Sequence, residues 1–390
     1  MALKITGDKA AKRRLRLGMV GGGQGAFIGA VHRMASRLDD RYEFVAGALS
    51  SDPRRALASG KELGLAKDRI YTDWKQMAAA ESRREDGIDT VAIVTPNNLH
   101  FGPSKAFLEA GIHVILDKPM TLNLKEAVAL ERIVKKSRLV FGLTHTYTGY
   151  PMVRQAREMV AAGLLGTVRI VQVEYPQDWL TKPIERTGQK QASWRTDPKQ
   201  TGTGSLGDIG THAYNMACFI SGLKGEALAA DLHTFVPGRK VDDNVHVMLR
   251  FKGGAKGMLW ASQVAVGCEN NIVCRVFGDK AGLEWRHEDM NYLKFTPYGE
   301  TPRRLSRSGS GSTDAAAHAS RVPAGHPEGY IEGFTQLYTD LAEQIGAAIE
   351  KRKPNPATLL VPGIAEGMAG MRFIDAVVKS SKRNSSWVKL

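Results

Sequence analysis

Two groups of side chains in this sequence have the types and spacing for chemistry on a small molecule. Gly207-Asp208-Ile209-Gly210-Thr211-His212 opens a helical stretch that begins at Ser205. A spacing of four puts Asp208 and His212 on one helix face. A carboxylate there can orient an imidazole, and an imidazole exchanges protons near neutral pH. A capping aspartate followed by a core histidine has the same spacing, so both readings stay open at this point. The second group is Asp117-Lys118-Pro119, directly after the apolar run His113–Leu116. A lysine at the end of a strand can hydrogen-bond a reacting hydroxyl and stabilise the alkoxide that develops. Alone, it would be an ordinary surface charge.

A third group has the spacing to hold phosphates. Leu15–Val20 reads as a buried strand and runs into Gly21-Gly22-Gly23-Gln24-Gly25-Ala26. Gly21, Gly23 and Ala26 fit G-x-G-x-x-G/A. The first glycine allows the tight turn, the second lets backbone approach a pyrophosphate, and the third small residue lets helix and strand pack closely. Amides at the helix start, including those of Gln24 and Gly25, would face the phosphates. An NAD site often has Asp or Glu at the end of the second strand. Here the chain has Leu49-Ser50-Ser51-Asp52-Pro53-Arg54-Arg55. Ser50 leaves room for a 2′-phosphate, and Ser51, Arg54 or Arg55 could bind it, which leans toward NADP over NAD. Thr95, Pro96, Asn97 and His100 follow the third strand, where ligands of open α/β sheets bind.

These groups need a scaffold of alternating elements. Apolar runs at Leu15–Val20, Phe44–Leu49, Thr90–Val94, His113–Leu116 and Val140–Leu143 alternate with helical stretches at Ala30–Leu38, Arg54–Leu63, Pro103–Ala110 and Leu124–Lys136. This pattern predicts a doubly wound parallel sheet covered on both faces. After residue 148 the rhythm changes. A helix over Pro151–Ala162 and a strand over Val168–Tyr175 precede a long polar loop, Asp178–Gly204, and a helix over Ser205–Ser221. Strands at Leu228–Phe235, Val245–Phe251, Gly257–Val266, Ile272–Phe277 and Gly282–Trp285 read as a mostly antiparallel sheet. Ser306–Ala319 reads as flexible, and helices near Tyr330–Ile349 and Ile364–Val378 close the chain. The expected division is an α/β Rossmann domain over 1–148 and a second α/β domain with a large open sheet over 149–390.

Composition narrows the class. The 390 residues are 43% hydrophobic and 24% charged, which excludes a wholly disordered chain and a disulfide-stapled miniprotein. The net charge of +14 is spread along the sequence, and no helix-turn-helix or RNP pattern accompanies it, so no nucleic-acid partner is expected. Cys218, Cys268 and Cys274 have no metal or disulfide spacing; reduced thiols, no metal and a cytoplasmic setting are expected. No apolar run reaches the roughly 20 residues of a membrane helix, and the basic N-terminus has no apolar stretch of a signal peptide.

Taken together, the glycine loop, Thr95–His100, Asp117-Lys118-Pro119, the Asp208/His212 pair and the turn Gly278-Asp279-Lys280-Ala281-Gly282 resemble the Gfo/Idh/MocA oxidoreductases, in order, over roughly residues 14–380. The resemblance implies a Rossmann domain followed by a domain whose open sheet forms homodimer or homotetramer contacts. It implies that Lys118 contacts the reacting hydroxyl, that His212 transfers its proton and that Asp208 positions substrate or histidine. Two departures stand out: Asp117 replaces the usual glutamate, and no arginine shortly precedes Pro151, so the usual substrate contact of that turn is missing and Tyr147 either substitutes as a hydrogen-bonding group or only packs. Trp194-Arg195 resembles a pair in related sugar dehydrogenases, where indole stacks on the sugar and guanidinium binds its hydroxyls; Asp178, Trp179 and Lys182 share its loop. The implied activity is NAD(P)-dependent hydride transfer at a secondary hydroxyl carbon of a sugar, glycoside or cyclitol. The alternatives are a glycosidase with tightly bound NAD and a non-enzymatic sugar- or nucleotide-sensing regulator on the same fold.

Overall fold

The structure, a computed structural model, describes residues 13–390; residues 1–12, which include most of the basic N-terminus and the start of the first expected domain, lie outside it. The chain forms two compact units, joined at Thr146/Tyr147, Gly329/Tyr330 and Met368/Ala369.

The first unit holds a five-stranded parallel sheet in the order β2-β1-β3-β4-β5. Its strands are β1 (Leu15–Gly21), β2 (Tyr42–Ala48), β3 (Thr90–Val94), β4 (His113–Leu116) and β5 (Phe141–Leu143). β3 and β4 are buried along their whole length, as expected where helices cover both faces. The helices between strands are α1 (Phe27–Leu38), α2 (Pro53–Glu62), α3 (Trp74–Glu81), α4 (Phe101–Glu109) and α5 (Leu124–Ser137). Asp52, Asp73 and Asn123 cap α2, α3 and α5 by accepting amide hydrogen bonds.

The expected boundary at 148/149 lies close to the division at Thr146/Tyr147, but the expected extent of the second domain to residue 390 needs correction. The helix Tyr330–Ile349, assigned by sequence to the second domain, belongs to the first unit. Its Phe334, Tyr338, Leu341 and Ile345 complete the core made by Leu15, Leu17, Met19, Val31 and Ala35. Leu341 fills the space that a side chain at Gly142 would need. Local periodicity correctly marks the helix but says nothing about which core it completes.

The second unit holds a nine-stranded sheet in the order β13-β12-β11-β10-β6-β9-β8-β7-β14. The strands are β6 (Val168–Pro176), β7 (Gly225–His233), β8 (Asn244–Phe251), β9 (Lys256–Ser262), β10 (Val273–Gly278), β11 (Ala281–Arg286), β12 (Tyr292–Pro297), β13 (Arg303–Ser306) and β14 (Val388–Lys389). Only the β6–β9 pair is parallel. One face packs on α6 (Pro151–Ala161) and on the helix that carries His212; the other leaves Ile170, Met248 and Met258 exposed. The long loop is not featureless: it carries α7 (Lys190–Arg195) and α8 (Pro198–Thr201). Nor is 306–319 loose. Thr313 and Ala315 donate their amides to Gln155 and Glu158 of α6, and a short helix forms over Asp314–His318. No helix among the described residues is long and apolar enough to cross a membrane.

Candidate functional site

In the first unit the glycine loop is built from backbone. Gly21, Gly22 and Gly25 have φ of 81°, 74° and 73°, in the left-handed region that favours glycine. A Cβ on Gly23 would lie 2.7 Å from the Leu49 carbonyl oxygen, so the loop sits directly on the end of β2. The close approach of helix to strand comes from Gly29, not from Ala26 as the motif predicts. A Cβ on Gly29 would lie 2.3 Å from the Gly22 Cα, whereas Ala26 is the half-exposed N-cap of α1. The Gln24 amide, expected on a phosphate, instead donates to Ser59 Oγ at 3.0 Å, and its side chain donates to Glu62 at 2.8 Å. Together these residues line an open cleft of about 400 Å³ with Gly25, Phe27 and Arg33. A cradle that side chains would fill, at a helix N-terminus, fits a dinucleotide pyrophosphate.

At the end of β2, Ser50 Oγ accepts the Asp52 amide at 3.1 Å, and Asp52 caps α2 through the Arg55 amide at 2.7 Å. Ser51, Arg54 and Arg55 are exposed beside them. After β3, Thr95 Oγ1 donates to the Leu99 carbonyl at 3.0 Å, Pro96 starts a short 3-10 turn, and Asn97 is buried in it. His100, expected beside the cofactor, has its ring turned into the protein. Its two ring nitrogens face the carbonyls of Pro119 at 2.7 Å and Thr95 at 2.9 Å, and the ring is 1% exposed. It ties the end of β3 to the segment after β4. Asp117 also works on the backbone: its Oδ1 accepts the Lys118 amide at 2.9 Å and the Thr144 hydroxyl at 3.0 Å. Lys118 is half-buried. Beside it, burial first and the Lys118 charge second push His145 down to about 3, so this imidazole is neutral.

The second unit assembles its candidates with side chains. Chain 206–210 forms a π-helical turn, Leu206–Gly210, that continues as α9 (Thr211–Ser221). Asp208 lies in the turn and His212 at the start of α9. Asp208 Oδ2 accepts from Gln263 Nε2 at 2.8 Å and lies 3.4 Å from Arg195 Nε. Arg195, expected on substrate, also bonds Gln191 and lies over the Trp194 indole, 4.3 Å from its centre. Asp208 thus has two grips absent from the sequence reading.

His212 is buried, with the Tyr147 ring edge-on at 5.2 Å between centres and Tyr175 at 6.3 Å. Tyr147 hydrogen-bonds the Tyr175 hydroxyl, and burial pushes its own hydroxyl up to about 12. The sense of this network is fixed by a group that can only donate. Trp179 Nε1 donates to Gln177 Oε1 at 3.2 Å, which turns Gln177 Nε2 toward Asn270 Oδ1 at 2.7 Å. Asn270 Oδ1 therefore also accepts the Tyr175 hydroxyl at 2.7 Å, and Tyr175 is left to accept from Tyr147. Asn270 Nδ2 faces the Tyr147 oxygen at 3.3 Å. His287 closes the wall: its Nδ1 donates to the Asn270 carbonyl at 3.0 Å and its Nε2 accepts from Tyr150 at 3.0 Å. Burial lowers the pKa of His287, in keeping with that neutral tautomer. Sequence reasoning found Tyr147 and Trp179 but missed Tyr175, Gln177, Gln263, Asn270 and His287. None has a motif spacing; strand alternation could have placed Tyr175 inward, but nothing marks Asn270.

Comparison with known proteins gives two consecutive family matches. Residues 15–145 match the oxidoreductase family with an NAD-binding Rossmann fold, and residues 153–284 match the GFO/IDH/MocA C-terminal domain. The uncharacterized oxidoreductase YfiI of Bacillus subtilis is 32% identical over 99% of this chain and 100% of its own. The crystal structure of an oxidoreductase from Sinorhizobium meliloti is similar with a TM-score of 0.88 at 54% identity, covering 97% of this chain and all of that one. An inositol dehydrogenase homolog from Azotobacter vinelandii, complexed with NAD+, has a TM-score of 0.94 at 35% identity over 99% of this chain and all of that one. The same homolog has been solved with NADH and myo-inositol, with a TM-score of 0.91 at 34% identity over 98% of this chain and 99% of that one.

Proposed function

This chain belongs to the Gfo/Idh/MocA oxidoreductase family, and from that premise we propose that it is a dehydrogenase of a secondary hydroxyl on a neutral cyclitol or sugar. The observation that carries the reading is the presence in one chain of a glycine cradle that side chains would fill and a histidine held at a fixed helix start. When bound, the nicotinamide supplies the hydride acceptor or donor. The chain's own residues do the rest. Gly21, Gly23 and Gly25 hold the dinucleotide against the start of α1, which Gly29 lets pack on the loop. His212 takes the proton of the reacting hydroxyl, and Lys118 offers an ammonium to the oxygen on which charge develops. Asp208, gripped by Gln263 and Arg195, holds a substrate hydroxyl or the imidazole. The Tyr147 wall, neutral and aromatic, suits the apolar faces and hydroxyls of an uncharged ring.

The cofactor we favour is NAD(H). The NAD+ and NADH complexes of the Azotobacter homolog support it, and they outweigh the lean toward NADP read from Ser50 and the Arg54/Arg55 pair. The test is nicotinamide reduction by the purified chain with myo-inositol and a panel of neutral sugars, run with NAD+ and with NADP+ separately. His212→Ala and Lys118→Ala should each cut turnover by on the order of 10²-fold or more while dinucleotide binding persists. Wild-type turnover in either variant removes that residue from the mechanism. Cleavage of a glycoside without net nicotinamide reduction would replace the dehydrogenase reading with the glycosidase one.

A further inference from the structure

We propose that Asp242 is the positioning residue for the helix start that carries Asp208 and His212. The inference rests on reading His212 as the proton-transfer group.

Asp242 lies in Val241-Asp242-Asp243-Asn244, where the chain enters β8. Three consecutive residues converge on it. The Gly204 amide donates to Oδ1 at 2.7 Å. The Ser205 hydroxyl and the Leu206 amide donate to Oδ2 at 2.8 and 2.7 Å. The Ser205 amide donates to the Asp242 carbonyl at 3.0 Å. Gly204 approaches so closely that a Cβ there would lie 1.8 Å from that carbonyl oxygen. Leu206 begins the π-helical turn, so the carboxylate sits where free amides of a helix start need an acceptor and where the helix dipole favours negative charge. Burial raises the pKa of Asp242, and its partners, all of them donors, oppose that rise only in part. A proton on either oxygen would face a donor, so the group works as a carboxylate.

The next residue faces other partners. Asp243 accepts the amides of Phe235 and Val236 and lies 3.2 Å from Arg239, which reaches Glu185 at 3.0 Å in the long loop. The Asp243 carbonyl accepts the amide of Gln263 at 2.9 Å, and the Gln263 side chain holds Asp208. Two adjacent buried aspartates therefore divide the work. Asp242 sets the helix start, and Asp243 ties down the loop and the residue that grips Asp208.

The experiment is Asp242→Asn, with His212→Ala as reference. Asparagine keeps the shape, but its nitrogen meets a donor in either orientation. With myo-inositol as probe, kcat should fall by about 10- to 100-fold, the loss expected when a reacting group moves by about 1 Å. KM for the dinucleotide should stay within about twofold, because uniform binding in the other unit is untouched. Two readouts do not need turnover: the NMR titration of the labelled His212 ring should shift, and the amides of 204–212 should exchange faster with solvent. If Asp242→Asn keeps wild-type kcat and the wild-type His212 titration while His212→Ala is dead, the inference is overturned and the function stands. If His212→Ala remains active, the function reading fails, and the titration and exchange data still decide what Asp242 positions. Should Asp242→Asn not fold, Ser205→Ala removes one donor; wild-type behaviour in all readouts would then overturn the proposal.

Discussion

The glycine loop after β1 and the turn before α9 both bring two chain segments closer than a side chain permits, but they are held by different means. At the loop, backbone meets backbone: Gly29 lies on Gly22, and Gly23 on the carbonyl of Leu49. At the turn, Gly204 also lies on a backbone carbonyl, that of Asp242, but the segment is held besides by the buried Asp242 carboxylate, which comes from the chain just before β8 and accepts the amides of Gly204 and Leu206. The first arrangement depends on residues within one βαβ unit. The second depends on a carboxylate that is far along the chain and whose charge must be matched by donors. One is robust to charge and intolerant of bulk; the other is intolerant of both.

The largest expected effects come from adding a methyl group at each close approach. Gly29→Ala drives a Cβ into the Gly22 backbone and displaces α1, so dinucleotide affinity should fall at least about tenfold, with a stability loss of about 1–3 kcal/mol. Gly204→Ala collides with the Asp242 carbonyl and displaces the turn that carries Asp208, so turnover should collapse while dinucleotide binding is kept. Titration calorimetry with the dinucleotide, alongside steady-state kinetics, separates the two. A Gly204→Ala protein that loses dinucleotide binding as completely as Gly29→Ala would erase the distinction drawn between the regions.

Acid should separate the units as well. In the first unit burial holds His32 and His113 down at about 4 and, with Lys118 nearby, His145 at about 3, against an ordinary 6.5. The unfolded chain therefore binds more protons than the folded one between these values and 6.5. The stability these neutral rings confer is complete above about pH 6.5 and is lost as pH falls toward 4, by up to about 1.4 kcal/mol per ring per unit. In the second unit burial lowers the pKa of His287 in the same sense, but Asp242 adds no such loss through this range, since burial raises its pKa. Hydrogen exchange followed from pH 7 to 4.5 should show β1–β5 losing protection before β6–β11. Loss in the reverse order would mean that the buried histidines do not control acid unfolding.

What could be read from the sequence follows the same line. Motifs and strands that depend on neighbours in sequence were visible: β3 and β4 match the apolar runs end to end, and Lys118, Asp208 and His212 fall at a strand end and a helix start as expected. β12 and β13 were not, because they lie at the end of the sheet, with β13 its edge strand, and alternate poorly around Lys294, Arg303 and Arg304. α3 has only weak amphipathic character, so its apolar spacing did not stand out. The site's missing members share one property: each acts across a long sequence separation. Asn270 reaches Tyr147, Gln263 reaches Asp208, and Asp242 reaches Gly204. Hydrogen-bond partners at that range leave no periodicity to read.

The smallest expected effect tests how far the second unit's wall depends on hydrogen-bond sense. Trp179 forces the order Tyr147 to Tyr175 to Asn270, so the Tyr147 proton is already committed and its oxygen faces other groups only as an acceptor. Tyr175→Phe removes the acceptor for that proton without removing a ring. Tyr147 can then donate, which reverses what it asks of a substrate hydroxyl. The lost bond is neutral and worth about 1 kcal/mol, so KM for myo-inositol should rise about three- to tenfold with kcat within about threefold. Trp179→Phe should move KM in the same direction by less, since Gln177 is then free to rotate but Tyr175 keeps its partner. Loss of kcat with KM unchanged in Tyr175→Phe would mean that the ring wall works on His212 itself rather than on the substrate, and the hydrogen-bond sense would carry no specificity.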